Sequence, residues 1–578
     1  MEFADEEFVG VFGTGDPGES LCASGTAAAY RDAQVAFGGA PVWQDPATGL
    51  VAAGIFIPDN DAASVARSLG VAPESPPLAV ITTLFCQHGA AVGRHAPGTF
   101  CGAVWDPGRR ALTLIRDSVG IRTLYYAGRA GDSRGFWFAS RLRRLRRTPV
   151  VGNQISLAAL RSYLACSYVP GARTMWRDVL ELRPGTAFLL PEGKSQTYWH
   201  PQEGPEGIGT LPMETYASSL RPVLEDAVRR CLPSSSTPLG VYLSGGLDSS
   251  LVTAIAAGQR SGGSAPYHSY AIHFGPDYPN ELDFSAMVAR HCGTQHRVLE
   301  LPASLIKKQL AESIAALDDP IGDPLTVPNL LLGKAAQREV GVILNGEGGD
   351  PLFGGPKNGP MLLHEIYGGG DESGRIDAYF RSYQKCYDDL PRLLTPHVQN
   401  GLAEYPPLSS LLDPFLADDR ATMRQYLNRL MQINVDLKGA DQILTKVSNL
   451  TTACGLMGHS PLFDVRVAEA AFAIPALYKR AGAMEKAVLK AAVADLLPEP
   501  ILTRPKSGMQ VPVQRWFQRD LRRYASGLLL SRHSRIKPYL RQDIIKEWLD
   551  YRTSQPFARQ GVKLWLVLTL EIWLRENE

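Results

Sequence analysis

Paired cysteines, net charge and long apolar runs are all scarce in this chain, and each scarcity excludes a class of protein. Eight cysteines (Cys22, Cys86, Cys101, Cys166, Cys231, Cys292, Cys386 and Cys454) are scattered through 578 residues with no Cys-x-x-Cys pair. That scatter supports neither a disulfide framework nor a zinc site, and favours reduced, mostly buried thiols in a cytoplasmic protein. Lys and Arg number 59 against 58 Asp and Glu, a formal net charge of +1, without the basic excess of a general nucleic-acid binder. No apolar stretch approaches the length of a membrane span. The opening residues Met1-Glu2-Phe3-Ala4-Asp5-Glu6-Glu7 are acidic, so no secretory leader is read there. Neither nucleic acid nor membrane is expected as a partner. The GxxxxGK[ST] phosphate loop is missing as well, because the only Gly-Lys-Ser run, Gly193-Lys194-Ser195, has Phe188 where that motif needs glycine.

What is present is an ordinary globular composition, 45% hydrophobic and 20% charged, in a chain too long for one core. Two or three domains are expected. Up to about residue 200 short apolar runs alternate with turns: Cys101 to Trp105, then Asp106-Pro107-Gly108, then Ala111 to Ile115, with Trp137 to Ala139 and Ala187 to Leu190 beyond. This predicts an antiparallel β-rich domain over 1–200. Residues 201–214, rich in Pro and Gly, read as a linker. From 215 to 578 strands alternate with helices: a helix at 215–231, a strand at 239–243, a helix at 249–258, a strand at 267–274, a helix at 283–292, and strands at 296–301 and 340–344. That alternation implies a parallel, doubly wound sheet whose ligand sits beyond the carboxyl ends of the strands. After about residue 375 the chain reads as mainly helical, and Trp565, Leu566, Leu568 and Trp573 bury a last helix. The basic run Arg141, Arg143, Arg144, Arg146, Arg147 reads as a solvated helix face, with docking of an acidic peptide as the sharper alternative.

Two loops carry the chemistry. In the first, an apolar strand ends at Ser244-Gly245-Gly246, and Asp248, Ser249 and Ser250 open an amphipathic helix. Free backbone N–H groups and the positive end of the helix make that loop an anion site. Its glycines let the main chain approach phosphate, and Asp248 can hold Mg²⁺. In the second, the strand ending at Leu344 runs into Asn345-Gly346-Glu347-Gly348-Gly349-Asp350. The fold class places Asp248 and Asp350 at one sheet edge, giving a Mg²⁺-bound triphosphate two hard oxygen ligands. The first loop resembles the Ser-Gly-Gly-x-Asp-Ser pyrophosphate loop of ATP pyrophosphatases, which split ATP between its α and β phosphates.

Taken with Trp105-Asp106-Pro107, Arg116 to Tyr126, Tyr168-Val169-Pro170-Gly171, Asp319 to Pro324, Pro461 to Asp464 and Arg504-Pro505-Lys506-Ser507-Gly508, the chain resembles the asparagine synthetase B superfamily over nearly its whole length. The resemblance implies an α+β N-terminal-nucleophile-like β-sandwich domain followed by an α/β doubly wound ATP-pyrophosphatase domain with a helical C-terminal part. It implies an ATP- and Mg²⁺-dependent ligase that adenylates a carboxylate, releases pyrophosphate and lets an amine attack the acyl-adenylate. Ser244, Gly245, Gly246, Ser249 and Ser250 then cradle pyrophosphate, while Asp248 and Asp350 bind the metal. Leu243 and the strand Ala271 to Phe274, including Ile272, hold adenine, with Gly346 behind it. Lys506 matches the lysine aimed at the reacting acyl centre, and Lys486 a lysine that contacts pyrophosphate. Glu347 is the candidate for orienting or deprotonating the amine, or is structural. His273 lies near adenine or in the core.

The chain also departs from the family. Glutamine-dependent members have cysteine at position 2, where this chain has Glu2, and a carboxylate cannot form the thioester that glutamine hydrolysis requires. The glutamine-gripping Asn-Gly-Glu is replaced by Phe56-Ile57-Pro58-Asp59-Asn60, and Met457 stands where amidotransferases have an acid. The first domain is therefore expected to be a scaffold without glutaminase activity, with the amine carried by the substrate. β-Lactam and carbapenam synthetases and lasso-peptide cyclases work in that way. The tyrosine of the β-lactam enzyme is absent from Gly346 to Asp350, and Pro356 to Met361 is associated with the peptide-cyclising branch. A peptide α-amine, with a pKa of about 7.7–8.0, needs little help to become neutral. A macrolactam-forming lasso-peptide cyclase is the first reading, with a leader-peptide-binding protein and a protease as partners. A small amino acid or ammonia-dependent amide synthetase is the second, and a catalytically silent scaffold the third. A tRNA-thiolating pyrophosphatase is disfavoured by neutral charge and unpaired cysteines.

Overall fold

A computed structural model describes residues 7–13, 15–129, 131–204, 211–260, 265–368, 371–506, 509–552 and 559–577. Glu2, Ser507 and Gly508 lie outside the described residues. The chain groups into two compact units, the first made of Met1–Ser156, Gly171–His200 and Gly439–Ser448, the second of Leu157–Pro170, Pro201–Lys438 and Asn449–Glu578.

The first unit is a β-sandwich of two antiparallel six-stranded sheets. One runs in the order Val179–Glu181, Tyr125–Gly128, Phe136–Ala139, Val9–Phe12, Val35–Gly38, Ala28–Arg31. The other runs Lys194–Thr197, Thr186–Leu190, Ala111–Ile115, Gly98–Asp106, Val51–Pro58, Val42–Gln44. Strand Gly98–Asp106 shows the sequence logic. Cys101, Ala103 and Trp105 point between the sheets to pack with Phe8, Phe37 and Phe138. Phe100 and Val104 point the other way, under Leu78, Ile81 and Leu84 of helix Leu78–His88, as the two-residue period of a strand dictates.

The polar residues of this unit are spent on architecture. Arg116 pairs with Glu181 at 2.7 Å, and the Asp117 carboxylate accepts from the Ile121 and Arg122 amides at 2.8 and 3.1 Å. The stretch beginning at Arg116 is thus a buried turn closed by the Asp117 carboxylate; burial pushes the Asp117 carboxyl up. Arg143 and Arg144 pair with Glu7, and Arg146 stacks 3.6 Å over Trp176, which uses much of the basic run inside the unit. Asp441, from the Gly439–Ser448 segment, pairs with Arg183 at 2.8 Å and accepts from the Gly171 amide at 2.8 Å.

The second unit is built on a five-stranded parallel sheet: β1 (Leu239–Tyr242), β2 (Tyr267–His273), β3 (Gln295–Glu300), β4 (Val342–Leu344) and β5 (Met457–His459), in the order β3-β2-β1-β4-β5. The chain winds from β1 through β2 to β3 on one side and places β4 and β5 on the other, so the winding reverses between β1 and β4. Crevices open beyond the carboxyl ends at such a reversal. The loops leaving β1 and β4 are the two glycine–aspartate loops singled out above. β5 falls in a stretch read as mainly helical, because three residues are too few to display a strand period. The expected linker is anchored at its start, where Glu203 accepts from the Arg424 and Gln425 amides and from Asn428; residues 205–210 lie outside the described set. The last helix, Gln560–Glu576, is buried from Val562 to Leu574. Trp573 Nε1 donates to the Asp318 carbonyl and Tyr163 Oη to the Leu566 carbonyl. No described helix is long and apolar enough to cross a membrane.

Candidate functional site

After β1 the chain turns at Ser244-Gly245-Gly246 and enters helix α1 (Leu247–Gln259), with Gly246 as its N-cap in extended conformation. Gly245 has φ +81°, and a Cβ there would stand 2.6 Å from the Ser285 amide nitrogen, so only glycine fits between this turn and helix α2 (Leu282–His291). Ser244 and Ser249 close the loop on itself: their hydroxyls are 3.0 Å apart, the Ser244 amide donates to Ser249 Oγ, and the Gly246 amide donates to Ser244 Oγ. Ser250 is fully buried, and its hydroxyl has no partner among the described residues. Leu243 and Ile272 are buried at the carboxyl ends of the adjacent strands β1 and β2. His273, next to Ile272, lies 3.9 Å from Glu300.

The loop after β4 packs directly on this turn. A Cβ on Gly346 would meet the Ser249 amide nitrogen at 2.4 Å. Short helix α3 (Gly349–Phe353) then carries Asp350. Glycines make room for both carboxylates: a Cβ on Gly349 would lie 2.1 Å from Asp248 Oδ1, and one on Gly355 would lie 2.4 Å from Asp350 Oδ1. β5 supports the loop from its far side, through the Asn345 side chain donating to the His459 carbonyl at 2.9 Å. Asn345 in turn accepts from the Glu347 amide at 2.9 Å. The Glu347 carboxylate is partly exposed and pairs with no described residue.

Two lysines join the aspartates. Lys486 Nζ, almost fully buried, lies 2.5 Å from Asp248 Oδ2 and 2.5 Å from Asp350 Oδ1. The two carboxylate oxygens are therefore at most about 5 Å apart, the sum of those contacts. Lys506 lies 2.5 Å from Asp350 and 3.8 Å from Asp248. Lys486 adopts a left-handed backbone, φ +56°, as N-cap of helix α4 (Ala487–Ala492), a conformation that non-glycine residues adopt mainly where the surroundings fix it. The four Asp248, Asp350, Lys486 and Lys506 side chains form a charge-balanced quartet over the pyrophosphate-type loop.

Burial alone would raise the Asp350 carboxyl, but the Lys486 and Lys506 charges hold it well below the usual range. Burial would lower Lys486, and the Asp248 and Asp350 charges carry it above the usual lysine range. Asp350 thus stabilises the fold above the ordinary carboxylate pKa of about 3.9 and loses that contribution as pH falls toward its folded value. The Lys486 contribution is complete below the ordinary lysine pKa of about 10.4 and is lost as pH rises past its raised value. The difference in melting temperature between the wild type and Lys486→Met should stay constant from about pH 5 to 9 and shrink below about pH 4. A difference that drifts across the neutral range would contradict the assignment.

Sequence reading missed the role of Arg504, noted only as part of a matching stretch. Arg504 stacks 4.0 Å over the Phe284 ring, pairs with Glu281 and reaches the Gly245 carbonyl at 3.5 Å. It pins the glycine turn to α2. No local pattern signals that role, because Phe284, Glu281 and Gly245 are all distant from Arg504 in sequence.

The residues present suit Mg²⁺: two carboxylates converge on one point from separate loops, each in a slot kept clear by glycine, beside a run of backbone donors. Among the described residues no cluster of three or more His, Cys, Asp or Glu could hold a metal by itself, so phosphate oxygens must complete such a shell.

Comparison with known proteins identifies the family. The sequence matches the family Asparagine synthase over residues 219–575 and the family Glutamine amidotransferase domain over residues 78–199. It is 24% identical over 510 residues to asparagine synthetase [glutamine-hydrolyzing] 1 of Bacillus subtilis, covering 82% of this chain and 77% of that protein. It is 28% identical over 442 residues to asparagine synthetase [glutamine-hydrolyzing] 3 of the same organism, covering 72% and 67%. A putative asparagine synthetase [glutamine-hydrolyzing] of Mycobacterium tuberculosis is 26% identical over 465 residues, covering 74% and 69%.

Proposed function

The chain belongs to the asparagine synthase family, and from that premise we propose that it joins a carboxylate to an amine carried by its own substrate, without glutamine. The family's enzymes are ATP-dependent carbon–nitrogen ligases that form AMP and pyrophosphate and use Mg²⁺. The observation that carries the amine assignment is the stretch Phe56-Ile57-Pro58-Asp59-Asn60. It replaces the Asn-Gly-Glu that grips glutamine, and Phe56, Ile57 and Pro58 continue the strand in register with Phe100, Thr99 and Gly98.

In this reading the substrate carboxylate attacks the α-phosphorus of ATP, and pyrophosphate leaves into the Ser244–Ser249 loop. There backbone N–H groups and the α1 terminus hold it. Asp248 and Asp350 would hold Mg²⁺, which supplies charge neutralisation for the phosphates. Lys506 and Lys486 stabilise the charge that develops on the departing phosphates and on the oxyanion of amine attack. Leu243 and Ile272 flank the base, with Gly346 behind. Glu347, whose carboxylate has no partner among the described residues, takes the proton of the attacking amine, and AMP departs as the amide forms.

The finer proposal is ring closure on a peptide, a macrolactam of the lasso-peptide type, with a leader-peptide-binding protein and a protease as partners. Support comes from Met457. It stands at the start of β5, opposite Val342 of β4, where amidotransferases carry an acid, a replacement that suits an acyl donor other than aspartate. The alternative, an ammonia-dependent synthetase acting on a small amino acid, is consistent with relatives named asparagine synthetase, although those names specify glutamine hydrolysis. A silent scaffold would have no use for the charged quartet. Pyrophosphate release should be measured over a panel of carboxylates, with and without peptides bearing a free N-terminal amine and an Asp or Glu. Stimulation by a peptide that emerges lighter by one water supports ring closure; stimulation by aspartate plus ammonia alone supports the alternative. Glutamine added under either condition should give no glutamate, and measurable glutamate would overturn the amine assignment.

A further inference from the structure

Few large apolar side chains stand exposed among the described residues, and three of them crowd onto one end of helix Gly359–Tyr367: Leu363 at 58%, Ile366 at 69% and Tyr367 at 83% exposure. This helix leaves the turn Pro356–Asn358, whose preceding residue Gly355 lies against Asp350. Its other face is anchored. Met361 is fully buried, and Glu365 pairs with Arg375 of helix Glu372–Ser382 at 2.7 Å. At 100° per residue Gly359, Leu363, Ile366 and Tyr367 project from one face, and Met361 and Glu365 from the opposite one. The exposed residues therefore form a stripe that runs from Gly359 to Tyr367, about 12 Å at 1.5 Å per residue.

A cation heads the stripe. A Cβ on Gly359 would stand 3.6 and 3.7 Å from the two terminal nitrogens of Arg480, so the guanidinium rests on the first residue of the exposed face. Arg480 makes no side-chain hydrogen bond, ion pair or ring contact with any described residue, although its Nη1 is buried. Glu485 stands in register across the hairpin from Arg480 and does not pair with it. The next residue, Lys486, touches both aspartates of the quartet. Arg480 thus lies between the hairpin that delivers Lys486 and the helix that follows the Asp350 loop. A buried guanidinium nitrogen without an acceptor calls for one from outside the chain, and a contiguous exposed apolar row marks a surface that is covered in use. Three side chains offer far less than the roughly 800 Å² that each partner of a stable dimer buries. They suit a short peptide: at about 3.3–3.6 Å per residue, some four extended residues span the stripe.

We propose that Arg480 and the row Leu363, Ile366 and Tyr367 dock the acyl-donor peptide beside the reaction centre. The guanidinium takes a carboxylate that is not activated, and the row takes apolar side chains on the adjoining residues. The proposal rests on the peptide reading above and states what such a substrate carries: a second acidic group next to a short apolar stretch. An arginine fork binds a carboxylate through paired, charge-assisted hydrogen bonds, which fixes the register of the peptide against the quartet.

The test uses the full chain and three amidated peptides labelled with fluorescein at the amino end: Gly-Asp-Ser-Leu-Ser-Leu-Ser-Leu, its Asn-for-Asp analogue, and its analogue with every Leu replaced by Ser. Binding is read by fluorescence anisotropy. The first peptide should bind at least tenfold tighter than either analogue. Arg480→Met should weaken it fivefold or more and abolish the preference for Asp over Asn, while Arg480→Lys keeps that preference. Ile366→Ser and Tyr367→Ser should each weaken it fivefold or more. Melting temperature and ATP affinity should be unchanged in all four variants, because the altered side chains are exposed or unpartnered. Equal affinity for the Asp and Asn peptides, or unaltered binding in Arg480→Met and Ile366→Ser, would overturn the surface. A wild-type dimer that Ile366→Ser disperses would give the face to a second copy, and adsorption to phosphatidylglycerol vesicles that the same change removes would give it to a membrane; either overturns the peptide assignment. A wild type that releases no pyrophosphate with any peptide counts against the ligase reading. Release with a peptide whose KM is the same in the wild type and Arg480→Met counts against the docking surface alone, so the two failures are distinguishable.

Discussion

Asp248→Asn should lower pyrophosphate release by about a thousandfold or more, measured with any carboxylate that supports turnover in the wild type. The asparagine keeps the shape of the side chain and removes its charge, which the proposed metal role requires. Lys486, almost fully buried, keeps Asp350 as a partner, so the fold should persist at a lower melting temperature. Release within tenfold of the wild type, from a variant with a cooperative melt, would remove Asp248 from the reaction centre. It would also remove the reason for Lys486 to span two acids.

Gly349→Ala should reduce release by about a hundredfold or more without deleting any functional group, since a displacement of about 1 Å in a reacting constellation has an effect of that order. The new methyl would stand 2.1 Å from Asp248 Oδ1, a carboxylate fixed by Lys486 contacts of 2.7 and 2.5 Å. Either Asp248 swings away from Lys486 or the loop after β4 retreats, and both separate the two aspartates. Gly258→Ala is the matched control: it lies near the end of α1 with open space around its Cβ position, and should leave activity intact while slightly raising stability. Equal activity in the two variants would mean that the close packing of Gly349 on Asp248 has no part in catalysis.

The parts of this molecule that announce themselves in sequence are those whose periodicity is local. Strand Gly98–Asp106 reads as a continuous run of apolar and small residues from Phe100 to Trp105 because both of its faces are buried by different partners. β1 and β2 end at glycine or polar residues because a doubly wound sheet stops there. Their positions emerge within a residue or two of expectation. The pairing of Asp248 with Asp350 was legible only through the fold class, since nothing local links two residues so far apart in the chain. Lys486 and Lys506 were found through resemblance to a family motif, whereas their joint contact with the aspartates depends on a left-handed backbone at Lys486 that no residue pattern signals. β5 and Arg504 escaped for opposite reasons. A three-residue strand carries no period, and an arginine that stacks on Phe284 while pairing with Glu281 is specified by tertiary neighbours alone.

Asp441 bears on why the first unit would be retained if, as proposed, it no longer handles glutamine. Its carboxylate is buried against Arg183 and the Gly171 amide, yet it belongs to a ten-residue excursion, Gly439–Ser448, flanked on both sides by the ligase chain. No single break in the polypeptide separates the two units. A gene truncated to its ATP-binding half would still encode that excursion, now stripped of the cation and the amide that neutralise its acid, and would leave a charge with nowhere to go. If the first unit has shed its chemistry, as proposed above, this acid gives a physical reason for keeping it beside the ligase chain.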